Sequence, residues 1–114
     1  MTPAEIKAAL AHRARQLGFD RFGVAPASPP ERAEYVRRWI AEGRHGEMAW
    51  LARGIERRLD PGLVLPGARS IIAVGLSYHV PGAPSDAGIA AYARGRDYHR
   101  TIESRLKTLA IWLQ

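Results

Sequence analysis

No cysteine occurs among the 114 residues. For this chain that excludes a disulfide, a thiolate nucleophile, a thiolate-built zinc site and any iron–sulfur cluster ligated from within. Redox chemistry at these residues must draw its electrons from elsewhere. Long apolar runs are missing too: no stretch approaches the ~20 residues that cross a bilayer. The N-terminus is polar and amphipathic where a signal peptide would be apolar, so the expected location is the cytoplasm, with no membrane partner. Lysine is scarce, two against fifteen arginines, which fits a codon bias toward GC. The net charge of +6 suits a polyanionic partner, because exposed guanidinium groups release counterions from phosphates. Composition alone therefore leaves open a standalone basic module that binds RNA or a small anion without catalysis.

Several chemical motifs are also absent. "ARGRDYH" holds one glycine and "LPGARS" lacks the lysine of a phosphate loop, so neither common nucleotide-binding turn is present. His12, His45, His79 and His99 never fall four apart, as a helical zinc pair requires. No serine stands in a nucleophile elbow.

What is present reads as one α/β (α+β) domain over residues 1–114, long enough to bury about two-thirds of its unfolded-chain surface. "MTPAEIKAALAHRARQLGFD" opens with Thr2 as N-cap, Pro3 at the first helical position and Glu5 closing a capping box. Ile6, Leu10, Ala14 and Leu17 share one face, and Gly18 stops the helix. "RFGVAPA" predicts a short strand that breaks at Pro26. Ser28-Pro29-Pro30-Glu31 predicts a second capped helix with Ala33, Val36, Trp39 and Ile40 inward and Gly43 as its stop. "RHGEMAWLARG" predicts a helical turn between Gly46 and Gly54, and Pro61 and Pro66 forbid a long helix after it. The β-branched run Ile71–Val74 predicts a strand buried on both faces at the sheet centre. "VPGAPSDAG" reads as a loop and "IAAYA" as a further strand. The last helix places Ile102, Leu106, Leu109 and Leu113 on one stripe that, extended backward, points His99 inward, with Asp97 at the N-cap.

Three clusters stand out. "RHGEMAW" joins His45, Gly46 and Glu47 to Met48 and Trp50, most simply a tight corner with an aromatic anchor. "IERRLDP" carries Arg57 and Arg58 beside a proline turn, where arginines are most often solvated or ion-paired. "YARGRDYH" packs Tyr92, Arg94, Arg96, Asp97, Tyr98 and His99 into eight positions at a strand-to-helix junction, a common place for a ligand site.

In order and spacing, "HGEMAWLAR", "ERRLDP", "LPGARSIIAVGLSYH" and "YARGRDYHRTIESRLKTLA" resemble the N-terminal region of the epoxyqueuosine reductase (QueG) family, with "LGFDRFGVAPA" fitting as well. The resemblance covers nearly the whole chain. It implies the N-terminal part of a cobalamin-binding domain of the nitroreductase and B12-processing type, with a partial mixed sheet flanked by helices. It also implies a longer intact enzyme, monomeric, whose two four-iron clusters and tRNA-binding repeats lie outside this chain. The implied reaction is a two-electron reduction of epoxyqueuosine to queuosine at the wobble position of tRNA. Cobalamin is the implied cofactor, and the implied proton donor lies past Gln114. By the same resemblance Arg58 and Ala90 match cofactor-contacting positions. Tyr92, Asp97, Tyr98 and His99 belong to the motif beside cofactor or substrate, and Arg94 and Arg96 fit tRNA phosphates. The isolated chain is expected to be inactive.

Overall fold

The computed structural model describes residues 1–78 and 97–114. Chain order is α1 (Pro3–Gln16), β1 (Arg21–Pro26), α2 (Ala33–Ala41), a 3-10 turn (Ala49–Leu51), α3 (Ile55–Leu59), α4 (Pro61–Val64), β2 (Ser70–Gly75) and α5 (Tyr98–Leu113). β1 and β2 pair antiparallel, the Asp20 amide donating to the Gly75 carbonyl and the Ala27 amide to that of Arg69. The chain clusters into two units, one of residues 1–23 and 72–114 and the other of residues 24–71. The predicted "IAAYA" strand and the loop before it lie outside the described residues.

In the first unit, α1 begins as predicted. Thr2 Oγ1 accepts from the Glu5 amide at 3.1 Å, and the Glu5 carboxylate accepts from the Thr2 amide at 2.7 Å, so two otherwise unpartnered helix-end donors are satisfied reciprocally. The helix ends in a Schellman motif. Gly18, at φ +92°, donates to the Arg15 carbonyl, and Phe19 donates back to the Ala14 carbonyl at 3.0 Å. Ala14 and Phe19 are buried with Leu10 and, on α5, Leu109. Arg105 of α5 reaches the Gly18 carbonyl through a long 3.5 Å hydrogen bond. This apolar cluster and its polar latch hold α1 and α5 together.

The second unit repeats the ending device. Gly43, at φ +73°, follows α2, and the Arg44 amide returns to the Trp39 carbonyl. α2 starts later than its sequence suggests: Arg32 occupies the N-cap position without a side-chain bond, and Ser28 does not cap. Two successive prolines explain this, since a residue preceding proline is driven out of the helical region. Ser28 and Pro29 are both so placed, and the first turn closes only where the Ala33 amide meets the Pro30 carbonyl. Arg37 of α2 grips Glu56 of α3 through paired bonds of 3.1 and 3.0 Å and also pairs with Glu34. Asp60 then caps α4, accepting from the Gly62 amide, with Pro61 at the first helical position.

One expectation about burial is corrected. β2 is not buried on both faces: Ser70 and Ile71 are exposed, and among the described residues its partner is β1. A two-stranded ribbon offers no second layer to cover it. The described sheet is an antiparallel pair.

Candidate functional site

Residues singled out by sequence fall into both units, and each unit builds its own arrangement. Ala90, Tyr92, Arg94 and Arg96 lie outside the described residues.

In the first unit, α5 begins at the Asp-Tyr-His triplet. Asp97 is the N-cap, its Oδ1 accepting from the His99 amide at 3.0 Å, as expected for the residue before a first helical turn. The same oxygen lies 2.8 Å from His99 Nδ1. That second contact overturns the inward orientation expected for His99. Its side chain is 71% exposed, because the bond to the capping carboxylate holds the imidazole at the helix end. The buried line of α5 runs instead through half-buried Ile102 and Arg105 to Leu109, leaving Leu106 and Leu113 exposed. A 3.6-residue period identifies a helix but leaves its rotation undetermined when apolar residues cover more than one face, as Ile111 and Trp112 do here.

The tyrosine between cap and histidine completes a flat surface. Tyr98 and His99 stack with centroids 4.0 Å apart and planes 27° from parallel. Beside them, Ile102, Leu106 and Ala110 line an open, mostly apolar groove of about 500 Å³, bordered by the Glu103–Lys107 ion pair. An aromatic pair at the head of such a groove suits a planar, largely apolar ligand.

Hydrogen bonds from His99, first from its ring and then from its amide, hold the Asp97 carboxyl below the ordinary aspartate value. A carboxyl with its folded value depressed stabilises the fold above the unfolded value of about 3.9, and that contribution is lost as pH falls through the folded value. NMR titration is therefore expected to give Asp97 a midpoint below that of a free aspartate. Acidification through that midpoint should fray the first turn of α5, seen as faster exchange of the His99 amide. His99→Ala should return the midpoint most of the way; an unchanged midpoint in this variant would refute the assignment.

In the second unit the "RHGEMAW" and "IERRLDP" clusters meet. Gly46 and Gly54, at φ +58° and +65°, close the turns that bring the 3-10 segment beside α3. Trp50 is not the buried anchor the sequence suggested, being 52% exposed. Arg58 lies over its indole, the guanidinium carbon 5.6 Å from the ring centroid, and Nη2 donates to the Trp50 carbonyl at 3.3 Å. Sequence reasoning finds both residues but not their contact, since two residues eight apart across the Gly54 turn carry no periodic signal. His45, its ring 6.3 Å from that of Trp39, has its Nδ1 buried without a partner among the described residues. Among the described residues no group of three or more His, Asp or Glu side chains is placed to hold a metal ion.

Comparison with known proteins is consistent across sequence and structure. A family model described as epoxyqueuosine reductase QueG, DUF1730, matches residues 58–114. The epoxyqueuosine reductase of Synechococcus sp. (strain CC9605) is 43% identical over 111 residues, covering 92% of this chain and 34% of that protein. That of Gloeobacter violaceus is 45% identical over 118 residues, covering 99% of this chain and 35% of that protein. The chain thus spans about a third of the length of the curated relatives it matches. Among solved structures, the epoxyqueuosine reductase of Streptococcus thermophilus superposes with a TM-score of 0.79 at 26% identity, over 96% of this chain and 31% of that one. An epoxyqueuosine reductase crystallised with an epoxyqueuosine-modified tRNA-Tyr stem loop superposes with a TM-score of 0.76 at 28% identity, over 96% of this chain and 31% of that one.

Proposed function

Because the chain belongs to the QueG, DUF1730 family of epoxyqueuosine reductase, we propose that it supplies the N-terminal part of an oxidoreductase that reduces epoxyqueuosine to queuosine in tRNA. The observation that carries this reading is the end-to-end match: relatives of that name cover 92 and 99% of the chain, leaving little of it for another fold or purpose. A relative solved with an epoxyqueuosine-modified stem loop supports tRNA as the partner, and the excess of arginine accords with a phosphate-bearing substrate. The reaction takes place in the cytoplasm, the intact enzyme acting as a monomer; no described helix is long and apolar enough to cross a membrane.

Cobalamin is the cofactor in this reading, and the residues present fit it. Its rim carries amide carbonyls and a phosphate, all acceptors, and the exposed Arg58 guanidinium spends one of its donors on Trp50. Its corrin is flat and largely apolar, which matches the stacked Tyr98–His99 pair and the groove below it. Bound there, cobalamin supplies the reducing cobalt centre. The task proposed for Arg58 is to donate to acceptors of the rim, and Tyr98 and His99 are proposed as cofactor-binding residues through their membership of the family motif. Asp97 remains an ionised cap under this scheme, so it orients His99 and is not the proton donor. Ala90 and Tyr92 belong to the same proposed cofactor site, and Arg94 and Arg96 to tRNA contacts. Iron–sulfur clusters do not fit these residues, which include no thiolate; in this scheme both clusters are ligated by other parts of the intact enzyme.

The test is complementation. In a strain lacking its epoxyqueuosine reductase, the complete gene is expected to restore queuosine in digested tRNA as read by mass spectrometry. Residues 1–114 alone should leave epoxyqueuosine unchanged. Persistence of epoxyqueuosine with the complete gene expressed and folded would overturn the proposed activity.

A further inference from the structure

Arg58 differs from Arg37, Arg44 and Arg57 in how it is held. Arg37 is neutralised by Glu34 and Glu56, and Arg44 by Glu42. Arg57, next in the helix, makes no ion pair, hydrogen bond or ring contact with a described residue. Arg58 is held at two points, by the Trp50 carbonyl at 3.3 Å and by the Trp50 ring at 5.6 Å, and neither is a carboxylate. A guanidinium laid on an aromatic face keeps its full charge and its in-plane donors while losing the rotamer freedom of an exposed side chain. Preorganisation of this kind lowers the ordering cost of binding an acceptor group.

We infer that Trp50 is a positioning residue: its indole and carbonyl fix the Arg58 guanidinium on α3 so that the remaining N–H donors face a phosphate or amide-carbonyl ligand. The inference rests on the proposed function in one respect, that the ligand is the acceptor-rich rim of cobalamin. The Trp50 ring need not touch the cofactor. Its effect on binding is exerted through Arg58, and this distinguishes it from a wall of the site.

A double-mutant cycle in the full-length protein tests this, with cobalamin dissociation constants read by absorbance and thermal midpoints read without cofactor. Trp50→Leu keeps the carbonyl and removes the ring, and is expected to weaken cobalamin binding about threefold to tenfold at an unchanged midpoint. Trp50→Phe, which retains an aromatic face, should recover part of the loss. Arg58→Ala should weaken binding by at least as much as Trp50→Leu, and adding Trp50→Leu to Arg58→Ala should then cost nothing further. Additive losses, or a midpoint that falls in step with affinity, would overturn the positioning role. Loss of tRNA stem-loop binding at unchanged cobalamin affinity would overturn it as well, showing the guanidinium to face RNA phosphate. If Arg58→Ala alone leaves cobalamin affinity intact, the cofactor assignment fails, and that failure is distinct from one in which only the Trp50 effect is missing. Should Trp50→Leu not fold, Trp50→Phe and Arg58→Lys carry the cycle.

Discussion

Replacing Phe19 by alanine is expected to lower the thermal midpoint of the protein by more than about 10 °C. Phe19 is 3% exposed and stands directly after the glycine that ends α1. Two costs coincide there. Removing a buried phenyl group costs about 3–5 kcal/mol in lost transfer energy and residual cavity, a large share of the roughly 5–15 kcal/mol typical of a domain. The ring is also the apolar partner that accompanies a Schellman ending, Ala14 at the matching helical position being fully buried. With it gone, the hydrogen bond from the Phe19 amide to Ala14 remains available but is no longer shielded from water. Differential scanning calorimetry of the variant is the measurement, and a midpoint within a few degrees of wild type would show that the first unit has another core. Phe19→Leu, closer in volume, should lose less than half as much.

Gly18→Val is expected to be the next most damaging single change, for a different reason. At φ +92° an L side chain is strained whatever the surrounding space, by about 1–2 kcal/mol, and a β-branched one suffers most. An ideal Cβ here would also stand 2.7 Å from Arg105 Nη1 and 3.1 Å from Cζ, so the guanidinium would have to leave the Gly18 carbonyl. Because that guanidinium is the end of a flexible side chain, the backbone strain should dominate. Gly18→Ala is then expected to cost nearly as much in an Arg105→Ala background as in the wild type, and urea unfolding compares the two. A cost that disappears once Arg105 is shortened would place the whole penalty in the steric contact. Gly23, where an added Cβ meets nothing within 4 Å and φ is ordinary, is the matching control, and its alanine variant should differ little from wild type.

Local pattern in the chain is enough to place helix ends such as these. Gly18 and Gly43 each follow an amphipathic helix, so both stops are legible in the sequence. Asp97 is legible in the same way as the N-cap of α5. In each case the interaction spans no more than about five residues of chain, so it forms between neighbours wherever the rest of the protein goes. Ser28 is the counterexample: its capping pattern competes with the two prolines beside it, and the backbone restriction they impose wins.

Among the candidate residues of each unit the division is similar. Sequence marks Arg58, Trp50, Asp97, Tyr98 and His99 individually but not the relations among them. That His99 turns to its own cap, exposed and stacked on Tyr98, depends on a 2.8 Å contact outweighing an apolar stripe. That Trp50 is an open platform for Arg58 depends on the turn at Gly54, at positive φ, between them. The order and kind of most elements, their caps and stops, the lack of any thiolate ligand and the excess of arginine are determined by sequence alone, through local sterics, short-range hydrogen bonds and composition. Which face of α5 is buried, how little β2 is covered and which arginines are held without a carboxylate are decided only in the tertiary structure. Those properties arise from contacts between residues apart in the chain, whose geometry no local pattern encodes.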